Sequence, residues 1–170
     1  ILFGAPEILL KNQDFRLPAR IQTLETEGCR LLLMAWTDTE VKGILPEKRY
    51  PVAVIILHDP VRKDAKATLD FFRSQDVELK IISGDNPITV SSIAKQAGFR
   101  KYDSYLDAST IKSKEELAAI ADKYTIFGRV TPEQKRTLVH SLQNQGHVVA
   151  MTGDGVNDVL ALRDADCSIA

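Results

Sequence analysis

HVVAMTGDGVNDVLALRDADCSIA, residues 147–170, decides the fold of this chain. HVVAMT and CSIA are short apolar runs of strand composition, and Val156–Asp164 between them has the make-up of a helix. The same alternation extends toward the N-terminus. Runs VAVIIL, VELKIIS and YTIFG are separated by predicted helices at Lys63–Ser74, Pro87–Ala97 and Lys114–Lys123, and a further helix at Pro132–Asn144 precedes HVVAMT. Strands that are apolar on both faces and alternate with helices predict a parallel sheet covered on both sides, a doubly wound α/β domain of Rossmann-like type.

Residues 1–50 read differently. A turn at Gly4–Pro6 leads to a polar helix from about Pro18 to Glu27, which Gly28 ends, and the strand CRLLLMAW follows. TDTEVKGILPEKRYP is rich in charge and turn formers and reads as a surface hairpin or linker. A small α+β unit over residues 1–50 and an α/β unit over residues 51–170 are therefore expected. Ile1 at the start and CSIA at the close read as cuts through a longer protein.

The net charge of −1, with Lys and Arg spread along the chain, gives no basic patch for nucleic acid or an anionic membrane surface. Val52–Leu57, the longest apolar stretch, is far short of the roughly 20 residues that span a bilayer, so a soluble piece is expected. Cys29 and Cys167 have no paired spacing, which argues against a zinc site or a disulfide framework and fits a reducing cytosol.

In doubly wound sheets, ligands sit at the carboxyl ends of the strands. The chemistry-bearing residues fall there. In MTGDGVND the carboxylate of Asp154 stands at a strand tip, Gly155 permits a sharp turn, and Asn157 and Asp158 enter the next helix. Clustered oxygens suit a hard cation such as magnesium, bound by one or two carboxylates with phosphate and water. An Asp-Gly turn with a helix cap is the plainer reading of GDG alone.

In GRVTPEQK, Thr131 is a natural N-cap, Pro132 suits the first helical position, and Lys135 follows on the first turn, where it could neutralise a transferring phosphoryl group or be a solvated helix lysine. In SGDN, Ser83 could supply a hydroxyl and Gly84 an amide to a phosphate at a helix N-terminus. In HDPVR, Asp59 and Arg62 flank a strand-to-helix junction and could form only an ion pair.

HDPVR, SGDN, GRVTPEQK and MTGDGVND, in this order, resemble the characteristic stretches of the phosphorylation domain of P-type ATPases, within the haloacid dehalogenase superfamily. FGAPEILL and GCRLLLMA resemble the end of the nucleotide-binding domain that precedes it. The resemblance implies an ATP-driven cation pump at the cytoplasmic face of a membrane, using ATP and Mg2+ and working through an aspartyl-phosphate. It places Asp154 and Asp158 at the metal, Asn157 beside them, Lys135 and Gly84 at the phosphoryl group, and Ser83 where many relatives have Thr. Arg30, Asp59, Arg62, Asp85 and Arg129 fall at positions linked to the nucleotide or the hinge.

The nucleophile's Asp-Lys-Thr-Gly-Thr motif is expected upstream of this chain, together with the pump's remaining domains. Phe3 stands where many pumps have a lysine that contacts ATP, which implies weak nucleotide binding. Val159-Leu160, in place of the frequent Ala-Pro, is reminiscent of a bacterial subgroup that includes calcium-type pumps, which makes Ca2+ a candidate cargo. The alternatives are a soluble phosphatase of the same superfamily and a non-catalytic nucleotide-sensing module. The phosphatase would need an Asp-x-Asp strand near its start, which this chain lacks.

Overall fold

The computed structural model describes every residue except Lys42 and Asp59. The chain forms two compact units, Ile1–Val61 and Arg62–Ala170.

The first unit contains β1 (Leu2–Gly4), α1 (Pro6–Leu9), α2 (Ala19–Thr26), β2 (Arg30–Trp36) and β3 (Tyr50–Leu57). All three strands are antiparallel, in the order β1-β2-β3. Alternation along β2 buries Leu31, Leu33 and Ala35, and the core forms where Leu33 and Ala35 meet Leu9. A cross-strand pair of rings, Trp36 and Tyr50, with centroids 5.5 Å apart, marks one end of the β2–β3 register. Arg49, which is buried, donates to the carbonyls of Leu9 at 2.7 Å, Lys11 at 2.5 Å and Pro46, tying the segment before β3 to the end of α1.

VAVIIL, expected to open the parallel sheet, lies instead in the first unit as part of β3, antiparallel to β2 and at the sheet's edge. The two compact units divide at residues 61/62, and β3 lies within the first. CRLLLMAW offers a partner of matching length across one connection, and antiparallel pairing needs no crossover helix. Val52, Ile55, Ile56 and Leu57 of this strand are exposed, so its apolar run does not reflect burial on both faces.

The second unit runs α3 (Ala65–Ser74), β4 (Ile81–Ile82), α4 (Pro87–Gln96), β5 (Tyr105–Asp107), α5 (Lys114–Ile120), β6 (Ile126–Gly128), α6 (Pro132–Asn144), β7 (Ala150–Thr152), α7 (Val159–Asp164) and β8 (Cys167–Ile169). Every strand pair in it is parallel, as the alternation predicts. β6 lies between β4 and β5, while β7 pairs with β8. β4 and β7 therefore each keep one edge with no strand partner among the described residues.

Successive residues of β6 face opposite sides of the sheet. Ile126 packs with Val90, Ala94 and Phe99, and Phe127 with Leu117, Val130, Leu138 and Leu142. Both side chains are fully buried, so helices cover both faces of this strand. Local chemistry starts the helices where they are needed: Asn86 accepts from the Ile88 amide to cap α4, Ser113 accepts from Glu116 to cap α5, and Thr131 and Gln134 form a reciprocal capping box on α6. β5 escapes the sequence reading because YLD is only three residues long and lacks a β-branched run.

Candidate active site

The turns after β4 and β6 are bonded to each other at the carboxyl end of their strands. The Ser83 amide donates to the Phe127 carbonyl (2.9 Å), the Arg129 amide to that of Asp85 (2.8 Å), and the Val130 amide to that of Ser83 (3.0 Å). The hydroxyl of Ser83 accepts from the Asp85 amide at 3.1 Å. Gly128 is required by close approach: a Cβ there would lie 2.6 Å from N, Cα and Cβ of Pro87. Gly84 is exposed and a Cβ on it would meet nothing within 4 Å, so packing does not demand glycine at that position.

Arg129 follows Gly128 in the left-handed region, with φ of 52°. Its guanidinium donates to Asp107 Oδ2 at 2.5 Å, and Asp107 lies at the end of β5. The other oxygen of Asp107 accepts from the Ser109 amide (3.0 Å) and hydroxyl (2.6 Å). Asp107 and Ser109 belong to no motif identified in the sequence. The Asp-x-Ser spacing of a capped turn is the one local signal that marks them.

The capping box fixes the first turn of α6 and with it Lys135, which is buried. Its ammonium donates to Asp158 Oδ1 at 2.5 Å, and the side chains of both residues are largely covered. Asp158 Oδ2 accepts from the Gly155 amide at 3.3 Å, so the two oxygens brace Lys135 and the turn after β7. Gly153 makes that contact possible, since a Cβ on it would sit 2.8 Å from Asp158 Oδ2. The segment expected to start the last helix forms a 3-10 turn at Val156–Asp158, ahead of α7.

Asp154 and Asn157 are exposed on this turn. Among the described residues no group of three or more His, Cys, Asp or Glu is arranged to hold a metal. One exposed carboxylate fits a magnesium ion that keeps most of its ligands as water and phosphate, and does not fit a closed protein cage.

α6 and α7 are joined a second time by Asp164, whose Oδ2 accepts from Arg136 Nε (2.7 Å) and lies 3.0 Å from His140 Nε2. The hydrogen bond from Arg136 holds the Asp164 carboxyl below its ordinary value, against a burial effect that raises it and with His140 assisting. For Asp107, burial raises the carboxyl, but the hydroxyl and amide of Ser109 and the Arg129 guanidinium outweigh it and the net direction is down.

A carboxylate depressed by folding contributes stability that is complete above its unfolded value and is lost as pH falls toward its folded value. With unfolded values near 3.8, urea midpoints are expected to hold from neutral pH to about pH 5 and to drop below about pH 4. The drop should be shallower in Asp107→Asn. Identical acid profiles for the two proteins would count against the Asp107 contacts.

The remaining residues singled out in the sequence are Arg62, Asp59, Arg30 and Asp85. Arg62 is exposed and pairs with Asp64 (Nε to Oδ1 3.0 Å, Nη2 to Oδ2 2.8 Å), an arrangement worth little in water. Asp59 lies outside the described residues. Arg30 begins β2 in the first unit and is exposed. Asp85 is half-buried and meets Arg129 through its backbone carbonyl.

A sequence profile described as haloacid dehalogenase-like hydrolase matches residues 5–166. Over 99% of its length the chain is 50% identical to the "Probable cation-transporting ATPase exp7" of Streptococcus pneumoniae. It is 45% identical, again over 99% of its length, to the calcium-transporting ATPase CtpE of Mycobacterium bovis. With the magnesium-transporting ATPase, P-type 1 of Salmonella typhimurium it shares 32% identity over 89% of its length. These matches cover 22%, 21% and 18% of the respective relatives, so the chain spans about a fifth of their length. Among the described residues no helix is long and apolar enough to cross a membrane.

Proposed function

From the premise that the chain belongs to the haloacid dehalogenase-like hydrolase family, we propose that it is part of the ATP-handling head of a P-type cation pump, on the cytoplasmic face of the membrane. Residues 51–170 would supply most of the phosphorylation domain and residues 1–50 the end of the nucleotide-binding domain. The observation that carries this reading is the Lys135–Asp158 pair, braced on the Gly155 amide beside the exposed carboxylate of Asp154. A lysine held by an aspartate at a strand-end turn, beside a second and exposed carboxylate, supports stabilisation of a transferring phosphoryl group.

In the reaction proposed, an aspartate oxygen from elsewhere in the parent protein attacks the γ-phosphorus of ATP. The bond to the bridging oxygen breaks, leaving an acyl-phosphate and ADP. Lys135 offsets charge on the transferring group, held in place by Asp158. Ser83 and the Gly84 amide donate to its oxygens, with Asn157 across the site. Arg129 and Asp85 stand on the nucleotide's side, with Arg30, Asp59 and Arg62 assigned to the hinge and the nucleotide. Magnesium, when bound, would neutralise phosphate charge. Asp154 would be its direct protein ligand, and Asp158 would serve the same metal site through the turn it braces.

The parallel strands fall into the sets β4-β6-β5 and β7-β8, whose outer edges, those of β4 and β7 included, have no strand partner among the described residues. That division supports a further strand, bearing the nucleophile, between β4 and β7. The transported cation would be handled by membrane segments of the parent. Calcium is the candidate, as in the name of the CtpE relative and in keeping with Val159-Leu160.

Manganese, standing in for magnesium, gives a direct test. It should broaden the amide resonances of Gly153–Gly155 first, and Asp154→Asn should remove that effect at the same concentration. Unchanged broadening in the variant, or broadening centred elsewhere, would overturn the metal assignment.

A further inference from the structure

We propose that Asp107 is a positioning residue for nucleotide binding: with Ser109 it fixes the Arg129 guanidinium at the carboxyl end of the sheet, where that guanidinium takes an oxygen of ATP. The inference rests on the reading of the site given above and adds to it a residue that lies in none of the motifs.

Three features converge on this role. Arg129 is set by its backbone, since its left-handed φ of 52° comes directly after a glycine that approaches Pro87 closely, and its amide is bonded to the Asp85 carbonyl. Its side chain has five donors in a rigid fork, and the 2.5 Å contact from Nη1 to Asp107 Oδ2 anchors one arm of that fork. Asp107 in turn cannot swing, because Oδ1 is held by both the amide and the hydroxyl of Ser109. The line Ser109, Asp107, Arg129 thus runs from β5 to the turn after β6 and ends beside the Ser83–Asp85 turn. A long flexible cation otherwise loses rotamer freedom when it meets a ligand, and fixing it beforehand removes that cost.

Asp107→Asn separates positioning from capping. Asparagine keeps the Oδ1 acceptor that caps the 3-10 turn at Ala108–Thr110. It removes the carboxylate oxygen facing Arg129, or presents an amide donor to it, so the guanidinium loses its contact with Asp107.

The test is a nuclear magnetic resonance titration of the chain with magnesium ATP, carried into the millimolar range and following the Arg129 Nε–H resonance. Wild-type protein should shift on addition of ATP. Asp107→Asn and Arg129→Gln should each weaken binding by about three- to tenfold. The double variant should be no weaker than Arg129→Gln alone, because one contact is lost in both cases. Ser109→Ala, a milder change, should weaken binding in the same direction by less. Parallel titrations with adenosine and with inorganic triphosphate identify whether a ribose or a phosphate oxygen is taken. Binding by Asp107→Asn equal to wild type, or additive losses in the double variant, would overturn the positioning role. A wild-type protein whose Arg129 signal ignores ATP would overturn the nucleotide reading on which that role rests.

Discussion

Gly128→Ala should destabilise the second unit by about 3 kcal/mol or more, at the upper end of what overpacking costs. The new methyl group would stand 2.6 Å from N, Cα and Cβ of Pro87, all of them backbone or ring atoms with no rotamer to give. Neither side can retreat cheaply. Pro87 is the first residue of α4 and is held by the Asn86 cap. Gly128 ends β6, between Phe127, which bonds Ser83, and Arg129, which bonds Asp85. Relief of the clash would open the bonds that join the two turns of the site, so ligand binding should suffer with stability.

Gly84→Ala is the internal control. Gly84 is not among the residues with positive φ, and a Cβ on it meets open space. Its effect on stability should lie within about 1 kcal/mol of zero, on the stabilising side if anything. Urea denaturation of the two variants decides the matter. Similar midpoints would show that the turn after β6 does not approach Pro87 as described.

The contrast between those two glycines also shows what sequence can and cannot convey. Thr131, Pro132 and Gln134 are a local signal, and the helix they start was legible because each contact spans three residues or fewer. The alternation of apolar runs and helices gave the parallel α/β class for the same reason. What could not be read were partners far apart in the chain. Lys135 and Asp158 were each placed at the site by resemblance to P-type ATPases, yet nothing in either stretch says that one holds the other across 23 positions.

Asp107 went unnoticed because its value lies in Arg129, 22 residues on, and in a strand too short to register. The sequence offers Asp59 as a neighbour for Arg62, whereas the partner among the described residues is Asp64, two positions along. VAVIIL reads as a strand of the parallel sheet because an apolar run cannot reveal which strand it will meet. An edge strand of an antiparallel sheet and a buried parallel strand share the same composition.

The second large effect concerns catalysis itself. The chain by itself should form no acyl-phosphate and should not turn over ATP, although Lys135, Asp158 and Asp154 are in place. Phosphoryl transfer needs an attacking oxygen held in line with the γ-phosphorus at near-contact distance. In the reaction proposed, Lys135 and a bound metal ion would stabilise charge that develops only once that attack begins. Asp158 is engaged by Lys135 and the Gly155 amide, and Asp107 by Ser109 and Arg129, while Asp154 and Asp85 are assigned to the metal and the nucleotide in the reaction proposed, which leaves the attack to an aspartate from elsewhere in the parent protein.

The measurement that bears most directly on the assignment is acid-quenched labelling with γ-labelled ATP, run in parallel on the 170-residue chain and on the whole protein that contains it. The whole protein should take up acid-stable label that hydroxylamine releases, and Lys135→Ala in that protein should slow the uptake by about a hundredfold. The chain alone should remain unlabelled. Label on the chain that disappears when one of its own aspartates is changed, or a whole protein that never labels, would contradict the account.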